Sequence, residues 1–122
     1  MEKKRTGSEE MAFKTAELDA AMQEAGFLLA YSDPEASRDF GYRARYIRAR
    51  STLFPLLNAT LEYYLASKAF SLKIAPSEDG DTRTFSFLVK GYRGGLKELL
   101  EQYFASVRRG MPFVPGGKGG AG

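Results

Sequence analysis

Apolar positions along this chain recur with two different periods, and the switches between them mark out its elements. From about residue 12 to residue 25, Leu18, Met22 and Ala25 fall at i, i+4 and i+7, the stripe of an amphipathic helix. Gly26 follows where a helix C-terminal cap belongs. Phe27-Leu28-Leu29-Ala30-Tyr31 is a short apolar run of strand length. Ser32-Asp33-Pro34-Glu35-Ala36-Ser37 is a turn, with Pro34 holding Asp33 out of the helical region. Residues 42–50 alternate. Read as a strand, one face carries Tyr42, Ala44, Tyr46, Arg48 and Arg50, and the other carries Arg43, Arg45, Ile47 and Ala49. Read as a helix, the run continues into Leu53-Phe54 and traps Pro55 in its interior, at a cost of about 3 kcal/mol. A helix capped by Ser51 or Thr52 puts Pro55 in the first turn and avoids that cost. The pattern therefore predicts a strand over 42–50 and a central helix over about 52–69. That helix would bury Leu53, Leu56, Leu57, Thr60, Leu61, Tyr64 and Leu65.

Period two then takes over. Phe70, Leu72 and Ile74 alternate with Ser71 and Lys73, a polar turn spans 76–81, and Phe85, Phe87 and Val89 alternate with Ser86, Leu88 and Lys90. This predicts a hairpin with its apolar side against helices. Leu96, Leu99, Leu100, Tyr103, Phe104 and Val107 return to the helical period, closed by Gly110. The expected fold is α+β: a four-stranded antiparallel sheet with three helices packed on one side, in the order α-β-β-α-β-β-α. Residues 1–11 read as a flexible charged arm, 12–110 as a single α+β domain, and 111–122 as a flexible Pro/Gly-rich tail whose Phe113-Val114 is a candidate anchor.

Composition removes several kinds of chemistry. The 122 residues include neither Cys nor His. Disulfides and thiolate catalysis are excluded, and the commonest general base and metal ligand is missing. No enzyme activity, cofactor or metal is expected. No apolar run approaches membrane-spanning length, and Met1-Glu2-Lys3-Lys4-Arg5 has no apolar segment behind it, so a cytoplasmic protein is expected. One Asn and two Gln, with no Cys, hint at a thermophilic source.

The formal charge is only +3, but it is unevenly spread. Residues 1–35 hold eight acidic and four basic side chains, whereas 38–50 hold five Arg and one Asp. Guanidinium groups bind phosphates through paired donors, and Tyr rings stack on unpaired bases. Tyr42, Arg43, Arg45, Tyr46, Arg48 and Arg50, joined by Lys73 and Lys90 on the polar side of the hairpin, thus form a candidate nucleic-acid surface. A strand shows alternate residues to one side, and the set with the rings (Tyr42, Tyr46, Arg48 and Arg50) is preferred over Arg43 and Arg45. Gly91-Tyr92-Arg93-Gly94-Gly95 leads from strand to helix and adds Tyr92 and Arg93 as further contacts, although it matches no phosphate-loop motif. Asp33, Glu35 and Asp39 sit among arginines and read as salt-bridge partners. Ser77-Glu78-Asp79-Gly80-Asp81 lacks the ligand pattern of a calcium loop.

The arginine-rich strand, the segment RSTLFPLLNATLEYYLAS and the hairpin after it together resemble ThermoDBP, a family of single-stranded DNA-binding proteins from some hyperthermophilic archaea. The likeness covers about residues 12–109 and rests on size, element order and a basic, aromatic sheet. It implies a non-OB α+β domain that grips a single strand in an apolar cleft flanked by basic residues. The family outline has a C-terminal helical dimerisation segment; this chain instead has Pro115-Gly116-Gly117-Lys118-Gly119-Gly120 there. The expected function is sequence-tolerant binding of single-stranded DNA or RNA, DNA favoured, with a homodimer as a further expectation. The rival expectation is a structural subunit of a larger assembly, docked through Met111-Pro112-Phe113-Val114.

Overall fold

In the computed structural model, described over residues 7–77 and 82–113, alternation wins over the helical period in the middle of the chain. The elements run α1 (Gly7–Glu24), β1 (Phe27–Ser32), a 3-10 turn (Pro34–Asp39), β2 (Gly41–Arg48), β3 (Leu57–Tyr64), β4 (Ala69–Pro76), a four-residue helical turn α2 (Thr82–Phe85), β5 (Phe87–Tyr92) and α3 (Leu96–Arg108). The five strands form one antiparallel sheet in chain order, β1-β2-β3-β4-β5. Two long helices take the place of the expected three, and five strands the place of four.

The correction falls on the expected 52–69 helix. Leu57, Ala59, Leu61 and Tyr63 are buried, while Asn58, Thr60, Glu62 and Tyr64 lie on the other side. All eight residues pair with β2 and all eight with β4, making β3 the central strand. A helix here would have left the inner edges of β2 and β4 unpaired, with their backbone groups seeking partners. The turn at Leu65-Ala66-Ser67-Lys68 closes the hairpin, with Lys68 in the left-handed region at φ 53°. A smaller correction falls on Phe85. It lies in the α2 turn, not in a strand, and its ring meets Phe54 edge-on at 6.0 Å.

The core occupies one side of the sheet. Leu18 and Met22 from α1, and Leu99, Leu100, Tyr103 and Phe104 from α3, meet Phe27, Ala44, Tyr46, Leu61, Leu72, Ile74 and Phe87 in a single cluster. Phe113, just past α3, also turns inward, its ring 5.3 Å from Phe87. Val114 and the rest of the expected tail, like residues 1–6 of the expected arm, lie outside the described residues. No described helix is long and apolar enough to cross a membrane.

Two polar devices fix α1 to this core. Tyr46, fully buried, donates its hydroxyl hydrogen to Asp19 Oδ1 at 2.7 Å, so the 2.6 Å contact between the Tyr42 and Tyr46 hydroxyls has Tyr42 as donor. Gln23 donates to the other Asp19 oxygen, completing the chain. At the end of α1, Gly26 adopts φ 95° and Arg48 Nε donates to the Ala25 carbonyl at 2.9 Å. A Cβ at Gly26 would run into that same guanidinium, so glycine is needed for both space and backbone geometry. The last turn of α1 has no basic residue of its own, and Arg48 brings a cation to the negative end of the helix.

Tyr46→Phe is expected to cost about 1–2 kcal/mol, because Asp19 Oδ1 and the Tyr42 hydroxyl both lose their partner. The loss should also depend on pH. Burial first, then hydrogen bonds to Tyr42 and Asp19, push Tyr46 far above the ordinary tyrosine value near 10; burial pushes Tyr103 up as well. Raised folded-state values mean stability that is present below about pH 10 and lost as pH rises beyond it. Urea denaturation from pH 8 to 11 should therefore show alkaline weakening that is shallower in Tyr46→Phe.

Candidate functional site

Among the described residues, the two long helices cover one side of the sheet and leave the other side bare. Strand register decides which side chains share the bare face. Tyr31 pairs with Arg45, Arg45 with Thr60, Thr60 with Lys73 and Lys73 with Leu88, a ladder running across all five strands. Beside it run Leu28, Ile47, Asn58 and Ala75 on one flank, and Arg43, Glu62 and Ser71 on the other. At about 4.8 Å per strand, the five-strand ladder is roughly 19 Å long.

The face forms two shallow depressions that meet at Thr60. One is lined by Tyr31, Arg45, Ile47 and Asn58, the other by Lys73, Lys90, Ser71 and Leu88. Arg45, Lys73 and Lys90 have neither an ion pair nor a hydrogen bond from their side chains among the described residues. Tyr31 is 55% exposed, and Leu28, Ile47 and Leu88 are exposed beside it. The face thus offers cations and apolar surface together, with hydroxyl and amide groups between them.

Arg43 shares the face but is occupied. Its Nη1 lies 2.9 Å from Asp33 Oδ2, its Nε 2.9 Å from Glu62 Oε2, and its Nη2 donates to the Tyr64 hydroxyl at 3.0 Å. The Tyr64 oxygen first, then the Glu62 carboxylate, raise its pKa further. Arg43 therefore serves as a clamp between β2, β3 and the turn after β1, and little of its charge remains for a ligand.

The ring-bearing set preferred from the sequence is not on this face. Tyr46 is buried under α1 and Tyr42 is half-buried beside it. Arg48 is on the helix side, its guanidinium carbon 4.9 Å from the Phe54 ring centre and 4.8 Å from that of Phe104. Desolvation, followed by the nearby charge of Arg108, lowers its pKa. All three side chains are engaged in contacts within the fold. Arg50 is exposed beyond the end of β2. Tyr92 is half-buried with its ring edge-on to Phe70 at 5.3 Å, and Arg93 donates to the Ser67 carbonyl at 3.2 Å. At the start of α3 the Glu98 carboxylate folds back against Gly95, where an incoming anion would meet negative charge. Of the ten residues picked from the sequence, the sheet gathers Arg43, Arg45, Lys73 and Lys90. Tyr31, Leu28, Ile47, Thr60 and Leu88 join them.

The acidic turn behaves as a structural element. Asp33 accepts from Arg43 and from the Glu35 backbone N–H, and Glu35 lies 3.8 Å from Arg38. No cluster of three potential metal ligands occurs among the described residues. Residues 78–81 of the polar turn lie outside them.

Comparison with known protein families, with curated proteins and with solved structures returns no match for this chain. The functional reading therefore rests on the sheet face itself.

Proposed function

We propose that this protein binds single-stranded nucleic acid across the bare face of its sheet, with little sequence preference and with DNA favoured over RNA. The observation that carries this reading is the placement of Arg45, Lys73 and Lys90, three cations without an ion pair among the described residues, on a face that no described helix covers, beside an exposed tyrosine ring. Such cations attract a polyanion, and the release of condensed counterions drives the association. Tyr31 supplies a flat ring on which any base can stack, worth about 1–3 kcal/mol. Leu28, Ile47 and Leu88 suit the apolar faces of unpaired bases. In a duplex those faces are hidden in the stack and an open sheet has no element to insert into a groove, so single strands are preferred. The rival docking tail has lost its aromatic anchor, because Phe113 packs against Phe87 and Tyr103 of its own core.

The test is a titration of fluorescent single-stranded DNA, single-stranded RNA and duplex DNA of equal length at several salt concentrations. Single strands should bind more tightly than the duplex. Three phosphate contacts predict a slope of log K against log salt of about −2, from about −0.7 per contact. No binding at low salt, or binding indifferent to salt, would sink the proposal.

A further inference from the structure

The two edges of the sheet are unlike each other. β5 carries Lys90 and a bulge at Gly91, which sits at φ 60°, and both features discourage pairing with another strand. β1 reads Phe27-Leu28-Leu29-Ala30-Tyr31-Ser32, with no charged residue and no proline. Leu28 and Leu29 are 67% and 47% exposed. No hydrogen bond among the described residues reaches the outer edge of β1. Such an edge is a ready template for another strand.

Next to this edge lies a groove of about 640 Å³ between α1, β1 and the 3-10 turn. Met11, Leu29, Phe40 and Tyr42 line it, with Asp19 and Asp33. Both carboxylates are engaged, Asp19 by Tyr46 and Gln23, Asp33 by Arg43. What the groove offers a partner is therefore apolar surface.

We infer that β1 is a dimerisation edge, and that its occupant is β1 of a second copy of this chain. Two copies related by a two-fold axis bring β1 antiparallel to itself, and an uncharged strand meets itself without repulsion. The bulge between Leu29 and Tyr31 limits the backbone pairing to a few residues, so the Leu29 side chains and the flanking grooves supply much of the contact. Two copies stacked through their bare faces would instead oppose Arg45, Lys73 and Lys90 to their counterparts. Edge pairing keeps those cations on the same side, and the two five-stranded sheets become one continuous surface.

The test is run without nucleic acid, so its outcome is independent of the proposed function. In sedimentation equilibrium from low to high micromolar protein, the full chain should approach twice its 13.5 kDa mass. Leu29→Lys places two ammonium groups in the pairing and should return the mass to 13.5 kDa with an unchanged circular dichroism spectrum, while Leu29→Val should remain dimeric. Amide exchange in the unaltered chain is a second measurement, and protection of β1 should rise with protein concentration. A monomer at every concentration, a dimer that survives Leu29→Lys, or β1 protection that ignores concentration would each overturn the inference.

Discussion

Arg48→Ala is expected to destabilise the fold by about 2–3 kcal/mol, whereas Arg45→Ala, three positions earlier in the same strand, should change stability by less than about 0.5 kcal/mol. Arg48 makes two cation–π contacts, each worth roughly 0.5–2 kcal/mol. It also satisfies the Ala25 carbonyl, with a net value of about 1 kcal/mol. Desolvation of the guanidinium offsets part of this sum, which is why the expected total lies in its lower half. For a domain of this size the loss corresponds to a melting temperature lower by roughly 8–20 °C. Urea denaturation should show a shifted midpoint with an unchanged slope, because the same surface is exposed on unfolding. Arg48→Met keeps the apolar stem between Phe54 and Phe104 and should recover about half of the stability. A tolerated Arg48→Ala would mean that the guanidinium is not seated between the rings.

This contrast also shows what the sequence does and does not reveal. The α+β class, the helices near both ends and the strands around residues 27–31, 42–48 and 70–74 are legible because one period dominates each segment. Residues 57–64 are ambiguous. Leu57 and Leu61 are four apart, which suits a helix, yet Leu57, Ala59, Leu61 and Tyr63 also alternate cleanly with Asn58, Thr60, Glu62 and Tyr64. The period alone cannot arbitrate, and the hairpin turn gives no help. Leu65-Ala66-Ser67-Lys68 has neither Gly nor Asn, although Lys68 takes a left-handed conformation those residues usually supply. Pro55 correctly excluded a helix running through 42–55, but it fits the loop before β3 as well as it fits a first helical turn.

The side of β2 that faces out was decided by tertiary contact. Both faces of β2 mix arginine with apolar or aromatic side chains, so neither is marked as buried by composition. Asp19 of α1 captures the Tyr46 hydroxyl, and Ala44 is small enough to sit beneath the helices. Together they turn Tyr42, Tyr46 and Arg48 inward and leave Arg43 and Arg45 outside. Tyr31 carries no mark of its role in the sequence, because its place beside Arg45 depends on the β1–β2 register, bulge included.

That placement makes the largest functional prediction. The triple variant Arg45→Ala, Lys73→Ala and Lys90→Ala should weaken single-strand binding by roughly 10²–10³-fold at low salt and flatten the salt slope from about −2 towards zero. Each single substitution should remove about 0.7 from the slope, because each deletes one phosphate contact. Tyr31→Ala should behave differently. It removes a stacking platform worth about 1–3 kcal/mol, a loss of roughly 5- to 150-fold, and leaves the slope unchanged because no phosphate contact is lost. All four residues are on the bare face, and none of the three cations supports the core, so melting temperatures should stay near that of the unaltered chain. Arg93→Ala provides a matched control. It deletes an exposed cation at the end of β5, outside the ladder, and should leave the slope nearly unchanged. If Arg93→Ala and the triple variant weaken binding equally per charge removed, the attraction is to net charge alone and the sheet face is not the site.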